Sequence, residues 1–287
     1  MHPVLFEIGG FTIGTFGTLV ALGFLIAAQW VWPRLLAVHG ADPERDPARS
    51  AAVALWVLVG LLVGGRLAFA VVEIARYRYG DAGPESLGAA FLASPLSAFD
   101  PRGGGMVMYG GLFGALAAGW LACTRYRLSI GRALDTGLVA GFVGQSIGRV
   151  GCLMVGDDHG SKVPDWLDWL PFPFAYRVPS EAWLAETPKS LFERDLAGEL
   201  VWATQTWMSI NALVLAWIGA RMLAKRPAPG TVALRLLLLY GVTRFVIEVF
   251  RGDAVRGVWL GGWLSTSQLV SIPLVVVAAI LLARRAR

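Results

Sequence analysis

The fold class this sequence predicts is an all-α, polytopic membrane protein with seven transmembrane helices and a small extracytoplasmic cap. Three observations predict it. Composition is the first: the 287 residues are 56% hydrophobic and only 16% charged, with mean hydropathy +0.59, whereas a soluble domain carries about 25% charged residues. The second is a set of seven separate apolar runs, each long enough to cross about 30 Å of hydrocarbon. The third is an uneven distribution of basic residues between alternate loops. It accounts for the formal charge of +5 through membrane topology and gives no reason to expect nucleic acid as a partner. Cys123 and Cys152 both fall in apolar segments, so they form neither a disulfide framework nor a metal-type spacing. Met1 to Gly10 lacks a basic stretch and places Glu7 ahead of the first apolar run, which argues against a cleavable signal peptide.

In order, the expected spans are Phe11–Trp32, Ala51–Ile74, Met106–Cys123, Ala133–Val155, Ala203–Leu223, Thr231–Phe250 and Leu264–Ala283. The loops on one side hold twelve basic residues, from Arg34, Arg45 and Arg49 through Arg125, Arg127, Arg132, Arg221, Lys225 and Arg226 to Arg284, Arg285 and Arg287. The short loops opposite hold five: Arg76, Arg78, Arg102, Arg251 and Arg256. The richer side is expected to be cytoplasmic, which puts the N-terminus outside and the C-terminus inside. Residues 1–287 form one membrane domain. The long segment 156–202, with Trp166, Trp169, Trp183 and Trp202, is inserted between the fourth and fifth spans as a cap resting at headgroup level.

The fourth span carries the most informative polar stripe: Gln145, Ser146, Arg149 and Cys152 share a helical face. A cation beside hydrocarbon costs about 2.5–3.5 kcal/mol on insertion scales, so Arg149 is expected to face inward, toward an anionic ligand or a buried carboxylate. The competing reading is an arginine snorkelling to the interface. At the end of the sixth span, Tyr240, Arg244, Glu248 and Arg251 share a face, and Arg244 and Glu248 are spaced to pair. Two arginines against one glutamate, with Arg149 at the same depth, leave surplus positive charge suited to a phosphate-bearing lipid. Tyr109 opens the third span after Gly103, Gly104 and Gly105. It is either an interfacial aromatic or a phenol aimed into space left by Gly110 and Gly111. In the second span Gly64 and Gly65 mark a packing seam, with Arg66 and Glu73 spaced as a structural ion pair. Asp157, Asp158 and His159 lie too close together for regular metal coordination, so a hydrogen-bonded turn is expected there, with no metal. Gln268 and Ser271 are expected to hydrogen-bond between helices.

Taken together, the motifs G-M-x-M-Y-G-G-L-x-G at Gly105–Gly114, G-x-x-I-G-R-x-G-C at Gly144–Cys152, R-F-x-x-E-x-F-R at Arg244–Arg251 and S-x-x-Q-x-x-S-I-P at Ser265–Pro273 resemble the bacterial prolipoprotein diacylglyceryl transferases. The resemblance runs in order along nearly the whole chain. It implies a multi-pass enzyme of the bacterial inner membrane that moves a diacylglyceryl group from phosphatidylglycerol to the lipobox cysteine thiol of a prolipoprotein signal peptide, releases glycerol phosphate and uses no cofactor. It implies Arg149 and Arg244 as catalytic arginines at the headgroup, with Glu248 and Arg251 as their helix partners. Gly110, Gly111, Asp158, His159 and Gln268 complete the expected substrate-binding set. Where the family's common pattern has a histidine before the paired glycines, this chain has Tyr109, which becomes the candidate proton acceptor, with His159 second. It also lacks the Trp-Tyr-Gly of the first span, the asparagine after the signature arginine and the His-Pro of the fifth span, keeping there only Gln205. Two rival readings follow: a non-catalytic relative that binds anionic lipid or a lipoprotein precursor, and a small-anion transporter. The transporter reading is weakened because the intramembrane charges other than Arg66, Glu73 and Arg235 cluster at one face.

Overall fold

The computed structural model describes residues 1–9, 11–80, 83, 85–100, 105–253, 257–259 and 263–285. Of the positions read above, Gly10, Arg102, Gly103, Gly104, Arg256 and Arg287 lie outside the described residues.

Apolar runs become helices because hydrocarbon leaves a backbone no partner but itself. The chain starts with a hairpin, β1 (Val4–Ile8) against β2 (Phe11–Gly14). Helix α1 (Thr15–Leu25) continues through a π-helical turn, Ile26–Val31, into α2 (Trp32–His39). Then come α3 (Asp46–Arg78), the short α4 (Leu87–Ala93), α5 (Met108–Arg125) and α6 (Ile130–Val155). The cap segment holds β3 (Ala175–Arg177), α7 (Glu181–Glu186) and β4 (Leu200–Trp202). Helices α8 (Thr204–Leu223) and α9 (Thr231–Glu248) follow, then β5 (Val258–Trp259), β6 (Leu264–Ser265) and α10 (Thr266–Arg285). Among the described residues, five helical stretches are long and apolar enough to cross a membrane: Thr15–His39, Asp46–Arg78, Ile130–Val155, Thr204–Leu223 and Thr266–Arg285. At the positions of the expected third and sixth spans lie the helices α5 and α9, of 18 residues each, which are not among those five. The chain is mostly helical, as expected, and among the described residues three short two-stranded sheets join segments outside the helices.

Small residues set the helix contacts. A Cβ on Gly64 would run into the carbonyl oxygen of Gly110, and one on Gly114 into that of Gly60, so α3 and α5 touch backbone to backbone. Of the two readings of Tyr109, the one that relied on open space beside Gly110 and Gly111 loses that space, because α3 fills both positions. A Cβ on Gly110 would collide with Ala68, and one on Gly111 would meet the Leu61 carbonyl at 3.1 Å. The expected Arg66–Glu73 pair is also corrected. Glu73 bonds Arg76 at 3.1 Å, while Arg66 donates to main-chain carbonyls.

Two ties outside the bundle position the site. Asp135 of α6, fully buried, accepts N–H bonds from Gly230 and Ala233 at 2.8 Å each. It thereby caps the start of α9, which has no side-chain cap of its own. At the opposite end, the segment after α6 is zipped to β4 and to the residues just past α9: Gly160 bridges Arg251, Lys162 bridges Val201, and Ser161 N–H donates to the Phe250 carbonyl at 2.8 Å.

Candidate active site

The C-terminal ends of α6 and α9 meet the N-terminal ends of α8 and α10, and a chain of charges runs between them. Within α9, Arg244 bonds Glu248 at 2.6 Å, the pair expected from their spacing. Arg244 also donates to Ser267 Oγ of α10 at 2.9 Å and contacts Met208 Sδ of α8 at 3.6 Å. Glu248, 1% exposed, is shared with Arg251 at 3.5 Å. Arg251 in turn donates to Asp253 at 2.8 and 2.6 Å and to Asp158 at 2.5 Å. The other oxygen of Asp158 accepts Nη1 of Arg149, so one carboxylate joins the arginine of α6 to the arginine that follows α9. Among the described residues, Arg149 donates through Nη1 alone.

Asp158 reaches this place because the chain folds back after α6. Gly156 ends the helix at φ +83°, and Asp158 itself sits at φ +55°, a region asparagine and aspartate tolerate better than most residues. The start of α8 holds the turn: Thr204 donates to the Asp158 carbonyl at 2.8 Å, and Gln205 to that of Asp157 at 2.9 Å. Gln205 is braced by Tyr176 of β3 at 3.0 Å.

Burial alone pushes the Asp158 carboxyl up, but the guanidiniums of Arg149 and Arg251 outweigh it and hold it below the ordinary carboxylate range. Asp157 moves the opposite way, raised first by burial and then by the charge of Asp158. For Arg251, burial works against the cation. The bond to Asp253, two residues further on, and the charge of Asp158 overcome it and push the guanidinium up.

The expectation of surplus positive charge is therefore corrected. Arg149, Arg244 and Arg251 are matched by Asp158, Glu248 and Asp253. Among the described residues, what the site offers an anion is oriented donors rather than net charge. Cys152, Asp157 and Asp158 each bring a ligand atom within 4.8 Å of the others, but both oxygens of Asp158 are bonded to guanidiniums. This donor set is an ion-pair node.

Tyr109, in the first turn of α5, lies within electrostatic range of Arg244 and Glu248. Tyr240 is within range of both Arg149 and Arg244, and its hydroxyl accepts from Gln145 at 3.4 Å. Two expected residues are occupied elsewhere. His159 is buried, its Nδ1 3.0 Å from the Gly160 carbonyl and its ring 5.8 Å from Phe192 of the cap core. Gln268 and Ser265 cap α10 reciprocally: Gln268 Oε1 accepts Ser265 N–H at 2.9 Å, and Ser265 Oγ accepts Gln268 N–H at 3.2 Å. Sequence reasoning passes over Asp253, Thr204 and Asp135, and sees Gln205 only as a remnant of a motif. A buried cation in search of a carboxylate is the available signal for Asp158.

Fold and site together define a membrane-embedded helical protein whose buried arginine cluster is assembled at one end of the bundle by a folded-back turn. The sequence profile of the family described as prolipoprotein diacylglyceryl transferase matches residues 3–284, and the chain belongs to that family. Among its relatives is the phosphatidylglycerol–prolipoprotein diacylglyceryl transferase of Rhodospirillum centenum, 29% identical over 99% of this chain and 91% of the relative. Proteins of the same name from Rhodospirillum rubrum (29%, covering 100% and 94%) and Methylococcus capsulatus (30%, covering 99% and 95%) are similarly close.

Proposed function

We propose that this chain transfers the diacylglyceryl group of phosphatidylglycerol to the thiol of a lipobox cysteine in a prolipoprotein signal peptide, with the arginine cluster as its active site. Family membership and the relatives' shared name support the reaction. The observation that carries the site is Arg149: it is held by Asp158 through one nitrogen, with Nε and Nη2 bonded to no group among the described residues. Those donors match the oxygens of a phosphodiester.

In the reaction the S–C bond forms at the glyceryl carbon as its C–O bond to phosphate breaks. The electron pair of the broken bond leaves on glycerol phosphate. Arg149 and Arg244, pre-oriented by Asp158 and Glu248, stabilise that developing charge without having to reorganise. The thiol must lose its proton to attack; we assign Tyr109 to relay it, its phenol oxygen taking the thiol proton as its own O–H proton passes to the departing glycerol phosphate. His159, packed under the cap, serves that turn's structure in our reading. Asp158, Glu248 and Arg251 hold the two catalytic arginines, and Gly110, Gly111 and Gln268 hold helices.

The same reading gives seven spans in the bacterial inner membrane, an external N-terminus, an internal C-terminus and a cap over the active site on the outer side. The loop charges, twelve basic residues against five, support that orientation. The test is complementation of a strain depleted of its own transferase, paired with transfer to a lipobox peptide in detergent. Arg149→Ala should lower transfer by at least about 10²-fold, the scale of losing one charge-stabilising donor, while the protein still inserts. Wild-type rates from that variant would remove Arg149 from the mechanism. An inactive wild type would favour the lipid-binding relative, the reading that Tyr109 in place of the family's usual histidine supports.

A further inference from the structure

We propose that Arg66 is a positioning residue for the transfer reaction, a clamp that fixes the approach to α5 and with it Tyr109. The proposal rests on the function proposed above only through the role of Tyr109. Arg66 is 8% exposed within α3, where an arginine without built partners is costly. Its three nitrogens donate to three carbonyls of a single segment: Nε to Ala98 at 2.5 Å, Nη2 to Asp100 at 2.7 Å and Nη1 to Gly105 at 2.8 Å. A planar fork meets three such acceptors at once, which an ammonium on a flexible stem does not. The Phe69 ring stacks on the guanidinium at 5.3 Å and also closes on Gly105. That glycine sits at φ +74°, and a Cβ there would collide with the ring. Two residues on, Val107 N–H donates to the Gly65 carbonyl at 3.0 Å, and α5 begins at Met108. The backbone entering α5 is thus tied to α3 at Ala98, Asp100, Gly105 and Val107, and the glycine seam from Gly110 onward fixes the helix itself. Tyr109 emerges between these two fixtures, within range of the charges of Arg244 and Glu248. A packing role alone would need no fork of three donors aimed at the segment that delivers the phenol.

The experiment combines kinetics with a probe of Tyr109. The full chain is labelled with 3-fluorotyrosine, and the Tyr109 resonance is identified by its loss in Tyr109→Phe. Arg66→Lys is expected to shift or broaden that resonance while leaving the Tyr240 resonance in place. It should lower kcat by about 10- to 100-fold, the scale of a misplacement near 1 Å, with KM for phosphatidylglycerol within about twofold of wild type. Gly105→Ala should reproduce the pattern, and the double variant should be little worse than either single. An unmoved Tyr109 resonance, or wild-type kcat, in folded Arg66→Lys overturns the clamp. So does a loss of activity that only tracks the folded fraction. If Arg66→Lys does not fold, Gly105→Ala and Phe69→Leu read the same clamp from its other side under the same criteria. If wild type transfers nothing, the proposed function fails, while the resonance still decides whether Arg66 positions Tyr109.

Discussion

Tyr109 is the residue on which an enzyme and a binding relative part company. Tyr109→Phe keeps the ring and removes only the hydroxyl, so transfer should fall while phosphatidylglycerol affinity stays; Tyr109→His should preserve turnover. Equal rates for the Phe form and wild type would leave the phenol without a chemical role. Asp158 allows a pH argument. Its folded-state pKa is depressed, so the ion pairs it makes are intact above the ordinary carboxylate value of about 3.9 and weaken only as pH falls through the lower folded value. Between about pH 5 and 8 it should add no limb to the rate profile. Asp158→Asn should lower transfer at neutral pH and abolish any acid limb below about pH 4; an acid limb near pH 6 that disappears in this variant would show that Asp158 titrates far higher. At this scale the sequence is readable wherever partners share a helix. Spacing alone pairs Arg244 with Glu248, and they bond at 2.6 Å. The bond from Arg149 to Asp158 stays hidden because it depends on a turn with positive φ and on an anchor from α8, neither of which follows from periodicity. Without its carboxylates the cluster reads as more cationic than it is.

Helix α9 shows how an element depends on its neighbours. Its first turn is capped by a carboxylate that comes from the cytoplasmic-side turn of α6 in our topology, Asp135, 0% exposed and bonded to two N–H groups. Removing it leaves two donors unsatisfied in an apolar setting, at about 1–3 kcal/mol each. Asp135→Ala should therefore lower the thermal midpoint in detergent by several degrees, and Asp135→Asn, which keeps one acceptor oxygen, by less. A midpoint unchanged in Asp135→Ala would mean that water or another group satisfies those donors. The apolar runs themselves are legible to within a few residues: the expected third span, Met106–Cys123, is helix Met108–Arg125. The hairpins are not, since strands of two to five residues are too short to show an alternating pattern. Nor is the clamp at Arg66, because its acceptors are carbonyls, which every residue possesses.

For the whole molecule, orientation decides whether the arginine cluster faces the compartment where a prolipoprotein presents its lipobox. The charge argument is a cumulative one: no single loop fixes the topology, but the segments after the first, third, fifth and seventh expected spans are all rich in Arg and Lys, and such loops resist translocation. In the proposed topology the cap lies outside, with Trp166 and Trp169 on its surface, 75% and 73% exposed, where indoles favour the headgroup region. Cys123 and Cys152 are buried, so new surface cysteines can be read against a quiet background. Trp169→Cys in the cap should react with a membrane-impermeant maleimide in cells whose outer membrane has been permeabilised, and Lys225→Cys between α8 and α9 should react only after the inner membrane is opened. The reverse pattern would place the arginine cluster on the cytoplasmic side and overturn the proposed topology. Labelling of both sites while the inner membrane is intact would put residues 169 and 225 on the same side, and α8, the one helix expected to cross between them, would then not span the membrane.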